Sequence, residues 1–481
     1  MKSTFVGLSR SAFTIAFLAL AACGGSDHHS SGTPTPVPLP ALCANAFSDD
    51  ATSSTQSARQ QRADAPAAVP LSSCMLGADR SVTIGGGSGE CGPDVVVDKD
   101  FTGAKGLGKI TINSGGKLVF PDLNHIDENH PEVAPIATLN LETTGILIND
   151  RGLFGIGTAV CPIGYHEGAH ATVTFTGERD KTCDPVKGCD DASIKGIEVK
   201  SGGTLRLYGS KGVPNPAADA GAPGVSWTVL RQTAAVGDKE LKLAEDVTKG
   251  QRPWERGDWI VLGTSSFNPV ESEFVQLAAP PTSDGAAGST VKLVRELVYS
   301  HFGSDAPTPS QQCDVGGTLT DVACGSVSDC KAPCTSAPSA LNYHDPVERN
   351  FGIDERAEVG LISRSITLTA KMPAPPPADG DVLAADPGLH WGGEIRVLGN
   401  DAEPPKVAIV GVELEKFGKD QLGSYPIHLH MVGDAKNQPL IAANSIHHPA
   451  QRVYREALVY TVSAQTTAIM EATLKRIVSR A

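Results

Sequence analysis

The sequence predicts an all-β protein, in which a glycine-rich segment is followed by a right-handed parallel β-helix. Short β-prone runs are separated by glycine pairs, as in "KITINSGGKLVF" and "IKGIEVKSGGTLRLYG". Apolar and polar residues alternate within the runs, for example at Ile110 and Ile112 and again at Leu118 and Phe120, which is the period of a strand. The 51 glycines, 34 prolines and 5% aromatic residues favour short strands and turns over long helices. Repeated strand, glycine pair and strand units indicate stacked coils, since a β-sandwich would need clearer hairpins.

The first 22 residues are typical of an export signal. They combine a basic start with the apolar run "AFTIAFLALAA", which is too short to span a bilayer in the mature protein. "LAAC" followed by glycine is typical of bacterial lipoproteins and predicts that Cys23 is lipidated. Such an anchor would hold the protein on the bacterial membrane, or on the outer membrane of a cell with two membranes. Ordinary secretory cleavage is the alternative, and residues 23–45 would form a flexible tether in either case.

Charge and cysteine content narrow the partners and the compartment. The net charge of −14 argues against nucleic acid as a partner. Ten cysteines remain beside Cys23, and an even number in an exported chain predicts disulfides, whose pairing the sequence leaves open. Zinc is the alternative for "CGSVSDCKAPC", although no histidine accompanies it. The oligomeric state is not predicted.

The remaining chain divides by pattern into successive regions. In the β-rich connecting region we expect the side chain of Trp227 to be buried. The regions are a cysteine-containing lead-in at 46–84, a glycine-rich β domain at 85–225, the connecting region at 226–303, a cysteine-rich insertion at 304–346, β-helix coils at 347–452 and an atypical tail of helix-like composition at 453–481.

Several motifs resemble one known family in their order along the chain. They are "SWT", "GDWIVL", "FNPVESE", "HFG", "ERAEVGLISRSI", "GVELEKFG", "YPIHLHMVGD" and "NSIHHPAQR". This series resembles the CEMIP family, which includes hyaluronan-depolymerising proteins, and the glycine-rich region resembles its eight-glycine (G8) domain. The resemblance implies an extracellular polysaccharide such as hyaluronan as partner, a hyaluronidase-like glycoside hydrolase activity, and calcium as cofactor. It stops after Arg452, so we expect a C-terminally truncated β-helix.

The strand "PIHLHMV" presents two histidines on one face. Alternation directs Ile427, Leu429 and Met431 into the coil and His428 and His430 outward. We therefore predict that His428 assists proton transfer or orients a carboxylate and that His430 supports it. The alternatives are plain surface residues, or two ligands of a transition metal.

Carboxylates suited to glycoside hydrolysis precede and follow this strand. In "VGVELEKF", alternation directs Val410, Val412 and Leu414 inward and Glu413 and Glu415 outward, where they could meet the histidines across a groove. A hydrolase needs two carboxyl groups, and Asp434 with Glu413 or Glu415 is the predicted pair. The alternatives are a solvated strand face for the glutamates and a turn at Asp434.

Downstream residues supply a cation and further polar groups. Arg452 is predicted to hold the carboxylate of an anionic sugar, with a surface salt bridge as the alternative. Asn444 is expected to be hydrogen-bonded inside a coil turn. His447 and His448 are weaker candidates.

Two other functions remain open. A polysaccharide lyase would use His428 as base, Tyr425 as acid, and Arg452 or Asn444 to neutralise the uronate. A non-catalytic glycan-binding or adhesion protein would use the β-helix as a scaffold only. The sequence shows no nucleophile elbow, phosphate-binding loop or dinucleotide fingerprint in a supporting context, which argues against acyl, phosphoryl and hydride transfer.

Overall fold

The structure is a computed structural model that describes most of the chain between residues 68 and 448. The described residues are 46–47, 68–86, 91–123, 138–164, 168–178, 194–213, 224–250, 252–266, 268, 271–304, 311–315, 318–322, 356–372, 391–400, 402–419, 424–432 and 439–448. Within them the chain forms strands and three short 3-10 helices, at Leu71–Ser73, Gly103–Lys105 and Gly285–Ala287.

The main body has three faces of parallel strands. The first face consists of β1 (Val69–Pro70), β3 (Asp94–Val96), β5 (Lys117–Val119), β7 (Leu153–Ile156), β10 (Thr204–Tyr208), β22 (Lys406–Val410) and β25 (Leu440–Ala442). The second consists of the first half of β6 (Thr138–Ile148), then β8 (His170–Phe175), β20 (Ile366–Ala370), β23 (Val412–Glu415) and β26 (Ser445–His447). The third consists of β2 (Val82–Ile84), β4 (Leu107–Ile112), the second half of β6, β9 (Gly196–Val199), β21 (Glu394–Leu398) and β24 (Ile427–His430).

The chain visits these faces in rotation, so each circuit is one coil of a parallel β-helix. From β7 it passes to β8, β9 and β10, which returns to the first face and pairs in parallel with β7. The predicted β-helix is therefore confirmed. One hydrophobic core runs through it and includes Ile110, Ile112, Leu118 and Phe120, as their alternation predicted.

The glycine-rich region provides the earlier coils of this same β-helix. Its strands β8, β9 and β10 pair directly with the later strands β20, β21 and β22, and both groups share one core. The "SGG" turns behave as predicted, since Gly115 and Gly202 adopt φ of +79° and +73°.

A second body of strands enters between β10 and β20. Residues 225–304 and 356–362, here called the inserted module, contain a four-stranded and a three-stranded antiparallel sheet around their own core. The strands are β11 (Trp227–Val229), β12 (Glu240–Leu243), β13 (Trp259–Leu262), β14 (Glu273–Gln276), β15 (Thr282–Ser283), β16 (Ser289–Lys292) and β19 (Glu358–Leu361). The burial predicted for Trp227 is wrong, because its neighbour Thr228 takes the inward position and leaves Trp227 39% exposed.

Other sequence-based expectations are met in part or fall outside the described residues. Cys74 and Cys91 form a disulfide, and Cys161 is also disulfide-bonded. Part of the cysteine-rich insertion is an antiparallel hairpin of β17 (Gln311–Val315) and β18 (Thr318–Val322). Cys23, the tether and the tail at 453–481 lie outside the described residues. No helix in the described part of the chain combines the length and apolar character needed to cross a membrane.

Candidate functional site

The outer side of the second face carries a set of polar side chains in register. Thr367 on β20 is aligned with Glu413 on β23, and Thr369 is aligned with Glu415. Val412 and Leu414 are fully buried on the opposite side of β23, so the predicted outward direction of both glutamates is confirmed. These carboxylates therefore lie on the outer surface of the β-helix.

Glu413 is held by side chains from two neighbouring strands. Its Oε1 lies 2.9 Å from Nε2 of His447, which belongs to the next coil. Its Oε2 accepts a hydrogen bond of 3.3 Å from Thr367 Oγ1, and this hydroxyl lies 3.2 Å from Nε2 of His170. The Glu413 side chain is 17% exposed and that of His447 is 5% exposed, so the pair is largely shielded from water.

His447 continues the hydrogen-bonded series to the surface. Its Nδ1 lies 2.8 Å from Nδ1 of His448, whose residue is exposed. Two nitrogens at this distance share one hydrogen. When neutral His447 donates from Nε2 to Glu413, its Nδ1 is an acceptor and His448 must donate. Glu413, His447 and His448, here called the Glu–His chain, thus connect a shielded carboxylate to an exposed imidazole.

The surroundings of His448 favour its neutral form. Burial lowers the pKa of His448 from its usual 6.5, and the neighbouring His447 lowers it further. Another neighbour is Phe274 on β14 of the inserted module, whose ring is stacked on His448 with centroids 4.9 Å apart and planes inclined by 22°. The inserted module therefore contributes directly to the site.

Glu415 is a second carboxylate two residues from Glu413. Partial burial alone would raise the pKa of Glu415, but hydrogen bonds from Lys416 and Thr369 outweigh it and lower the pKa. Lys416 Nζ lies 3.0 Å and Thr369 Oγ1 lies 2.9 Å from its carboxylate oxygens. Positions two apart on a strand are separated by about 6.6 Å. Glu413 and Glu415 therefore project from the same side of β23 as successive outward positions.

A buried cation lies behind the Glu–His chain. Arg364 donates from Nε to the carbonyl of Ala443 at 2.9 Å and interacts electrostatically with Glu413 and with Asp258 of the inserted module. Burial lowers the pKa of Arg364 to about 10, so the guanidinium remains charged at neutral pH. Asp258 also forms a salt bridge with Lys211, which follows β10 of the β-helix; its Oδ2 lies 2.9 Å from Lys211 Nζ. These ions attach the inserted module beside the Glu–His chain.

The two predicted histidines occupy the third face. His428 on β24 is aligned with Arg396 on β21, and Ile427 and Leu429 are aligned with buried core residues. Leu429 is nevertheless 38% exposed. The inward position predicted for Met431 is wrong, because the chain leaves the strand with φ +52° at this residue and the side chain is 76% exposed.

The structure therefore separates the residues that the sequence suggested would meet across a groove. Glu413 and Glu415 lie on β23 of the second face, whereas His428 and His430 lie on β24 of the third face. The ring of His428 lies edge-on to the rings of Tyr425 and His430, with ring centroids 5.5 Å apart in each pair. The histidine that joins Glu413 is instead His447.

Two further predictions can be compared with the structure. Val410 does not point into the coil with Val412, because the chain turns between them at Gly411 with φ +65°; Val410 lies in a separate apolar cluster on the first face. Asn444 is 1% exposed, donates to the carbonyl of Ile409 and accepts from the amide of Val412, which confirms its place inside a coil turn. Asp434 and Arg452 lie outside the described residues.

The importance of His447 could have been found from a repeat. In the last coil each strand pairs with the strand 32 residues earlier, as shown by Ile395 with Ile427, Ala408 with Leu440, and Glu413 with Ser445. Applied to the sequence, this spacing places His447 beside Glu415 and two positions from Glu413.

The described residues do not assemble a metal centre. Among them, no group of three or more His, Cys, Asp or Glu side chains is arranged to hold a metal ion. Calcium prefers six to eight oxygen ligands, while the oxygens of Glu413 face His447 and Thr367. Among the described residues, the surroundings of Glu413 therefore do not form a calcium ligand set.

Comparisons with known proteins cover both parts of the β-helix. The family model of the G8 domain matches residues 88–215, and that of the CEMIP beta-helix matches residues 390–455. The chain is CEMIP-like over these two segments. In this CEMIP-like chain the Glu–His chain lies in the second matched segment, and the inserted module lies between the two segments.

The CEMIP-like chain is also similar to several curated proteins. It is 33% identical to "Cell surface hyaluronidase" of Danio rerio over 475 residues, covering 72% of this chain and 32% of that protein. It is 33% identical over 141 residues to "Cell migration-inducing and hyaluronan-binding protein" of Mus musculus, covering 26% and 10% of the two chains. With "Fibrocystin-L" of Homo sapiens it shares 26% identity over 367 residues, covering 72% and 7%. The chain thus spans less than a third of the length of these relatives.

Proposed function

We propose that this CEMIP-like chain acts on an extracellular polysaccharide as a hyaluronidase-like, endo-acting glycoside hydrolase. The observation that carries the proposal is the hydrogen-bonded series from Glu413 through His447 to exposed His448 on the outer surface of the β-helix. Similarity to proteins named as a hyaluronidase and as a hyaluronan-binding protein supports the substrate class.

The Glu–His chain and Glu415 would have different roles in hydrolysis. Neutral His448 accepts a proton at Nε2 from the attacking water while its Nδ1 hydrogen moves to His447, and Glu413 stabilises the imidazolium formed at His447. The proton returns through the same nitrogens and is delivered to the leaving sugar oxygen. The ionised carboxylate of Glu415 stabilises positive charge that develops at the anomeric carbon. The hydroxyl of water ends on that carbon, and its proton ends on the leaving sugar oxygen.

The activity is tested by incubating the purified protein with hyaluronan, chondroitin and neutral glycans, with and without calcium, and measuring chain length. The proposal expects chains to shorten without a new ultraviolet absorbance, and expects His448→Gln to slow the cleavage by at least tenfold. Chain length that never changes while glycans are retained would leave a binding protein and refute the hydrolase.

A polysaccharide lyase is the second candidate, because the rings of Tyr425 and His428 lie side by side with their centroids 5.5 Å apart. There His428 would remove the C5 proton and Tyr425 would protonate the leaving oxygen. Burial of Asn444 argues against its proposed contact with the uronate, which leaves Arg452 for that role. A new double bond absorbing in the ultraviolet, lost in the double variant His428→Ala and His430→Ala, identifies this mechanism. A hydrolase that loses activity in that variant but keeps it in His448→Gln would place the site on the third face.

We also propose that the protein is exported and anchored through a lipid on Cys23. The apolar run and "LAAC" support this proposal. Mass spectrometry of the N-terminal peptide should show a lipid on Cys23, and Cys23→Ala should release the protein from membranes. An unmodified mature N-terminus downstream of Cys23 would contradict the anchor.

A further inference from the structure

One side of the four-stranded sheet in the inserted module carries three aromatic residues. The antiparallel register aligns Trp227 with Gly360, Gly360 with Val261, and Val261 with Phe274. These residues therefore point to the same side of the sheet. Trp259 lies two residues before Val261 on β13 and shares this side. We call Trp227, Trp259 and Phe274 the aromatic face.

The aromatic face is the outer side of the module. The opposite side of the same sheet supplies the module core through Ile260, Leu262, Val275, Val359 and Leu361, all of them fully buried. By contrast Trp227 is 39% exposed and Trp259 is 46% exposed, although large aromatic side chains usually bury most of their area. Both indoles therefore present part of their surface to solvent.

The aromatic face is continuous with the Glu–His chain. Phe274 stacks on His448 at 4.9 Å and has its ring centre 6.2 Å from that of His447. Arg295 fixes this strand, since its Nη2 donates to the carbonyl of Phe274 at 2.8 Å and its Nη1 to buried Glu273 at 2.9 Å. A ligand lying along the face from Trp227 would reach His448 at the far end.

The chemistry of the face suits sugar rings. Aromatic faces attract C–H groups through their negative quadrupole, and sugar rings expose C–H groups on their faces and hydroxyls on their rims. The polar side chains of Gln276 and Glu358 lie on the same side, in register with Trp259 and Val229 respectively, and so place polar groups beside the aromatic rings, as a sugar with both C–H faces and hydroxyl rims requires. With a net charge of −14, stacked nucleic acid bases are not the expected ligand.

We propose that the aromatic face is a binding platform for a polysaccharide chain, on which Trp227 and Trp259 stack against successive sugars and lead the chain to His448. This inference rests on the proposed function and deepens it, because it assigns substrate binding to the inserted module rather than to the β-helix. Three strand spacings separate β11 from β14, or roughly 14 Å, which is longer than one sugar ring. The platform therefore favours an oligosaccharide over a monosaccharide.

Tryptophan fluorescence tests the platform without requiring cleavage. The chain has four tryptophans, and the other two, Trp254 and Trp391, are only 2% and 4% exposed. Titration with hyaluronan, chondroitin and neutral oligosaccharides should change the emission of the exposed pair. Trp227→Ala and Trp259→Ala should each weaken binding about tenfold, and Trp→Phe at the same positions should restore most of the affinity.

Two controls make the outcome decisive. Val236→Ala, at an exposed turn of the same module, should bind as the unmodified protein does, and circular dichroism should show that every variant folds. Glu413→Gln separates the two proposals, since it should lose cleavage and keep binding. Binding without cleavage that depends on both tryptophans would refute the hydrolase and keep the platform. The platform would be overturned if the protein bound no glycan, or if the tryptophan variants bound glycan within twofold of the unmodified protein. It would also be overturned if the tryptophan substitutions changed the oligomeric state of the protein and left glycan binding unchanged.

Discussion

The carboxylate of Glu413 lies 2.9 Å from Nε2 of His447, which is contributed by the next coil of the β-helix. Parallel pairing of β23 with β26 of the next coil brings these two side chains together on the outer surface. The pair leads to exposed His448 and to Phe274 of the inserted module. The glycan-processing site proposed at this junction has direct experimental consequences.

Replacement of Glu413 by glutamine should abolish most of the catalytic effect of the Glu–His chain. The amide keeps the size of the side chain but cannot stabilise an imidazolium at His447, so kcat on hyaluronan should fall by about 100-fold with little change in KM. Glu240→Gln removes an exposed carboxylate of the inserted module and is the matched control. A kcat of Glu413→Gln within twofold of the control would contradict the assigned role.

The pH dependence of cleavage should report the pKa of His448. Its pKa is lowered from 6.5, so neutral His448 persists into mild acid and kcat should fall only below pH 6.5. Phe274→Ala uncovers the imidazole and weakens the effect of burial, so the acid limb of the profile should move up towards pH 6.5. The measurement is kcat from pH 4.5 to 8, and an unchanged acid limb in Phe274→Ala would disprove this assignment.

Stability should respond to pH through His170. Burial lowers the pKa of His170, an effect that the charge of Glu413 partly offsets, and its other close contacts are Thr367 and the backbone of Arg364. The unfolded chain therefore binds the proton more tightly, and stability falls as pH decreases through 6.5 towards the folded pKa. His170→Asn should lose less unfolding free energy between pH 7.5 and pH 5 than the unmodified protein. Chemical denaturation at both values measures this, with His430→Asn at an exposed position as control; equal losses in His170→Asn and the unmodified protein would refute it.

Asn444 should stabilise the last coil. Its amide bridges the carbonyl of Ile409 and the amide of Val412, and both groups would lose a buried partner in Asn444→Ala. Each loss is expected to cost about 1–3 kcal/mol of unfolding free energy. Asn400→Ala removes an exposed side chain that accepts from two backbone amides and should cost less. Thermal and urea unfolding compare the two, and equal destabilisation would be inconsistent with the buried bridge.

Gly196 should be required where the two family-matched segments meet. It adopts φ +141°, and a Cβ there would lie 1.9 Å from the carbonyl oxygen of Glu394 on β21. Gly115 also has a positive φ, +79°, but a Cβ there would meet nothing within 4 Å. Gly196→Ala should therefore prevent or severely weaken folding, while Gly115→Ala should cost only about 1 kcal/mol. Soluble yield and thermal unfolding of the two variants give the answer, and similar behaviour would argue against close packing at Gly196.

The strands of the β-helix were predictable because their signal is local. Alternation identified the buried side of β4, β5 and β23, and glycine pairs identified the turns, since each depends on neighbours in the chain. Val410 and Met431 were misplaced for the same reason. Alternation assumes a continuous strand, and the chain changes direction at Gly411 and at Met431, both of which adopt a positive φ.

The sequence by itself determined that the chain forms strands in repeated coils, that Glu413 and Glu415 face outward, and that Asn444 belongs inside a turn. Only the tertiary structure decided that His447 meets Glu413 and that Phe274 stacks on the adjacent His448. Strand periodicity specifies the side on which a residue lies, because it reflects burial along a single strand. The neighbours across that surface depend on the coil length and on how the inserted module packs, and these contacts join residues far apart in the chain.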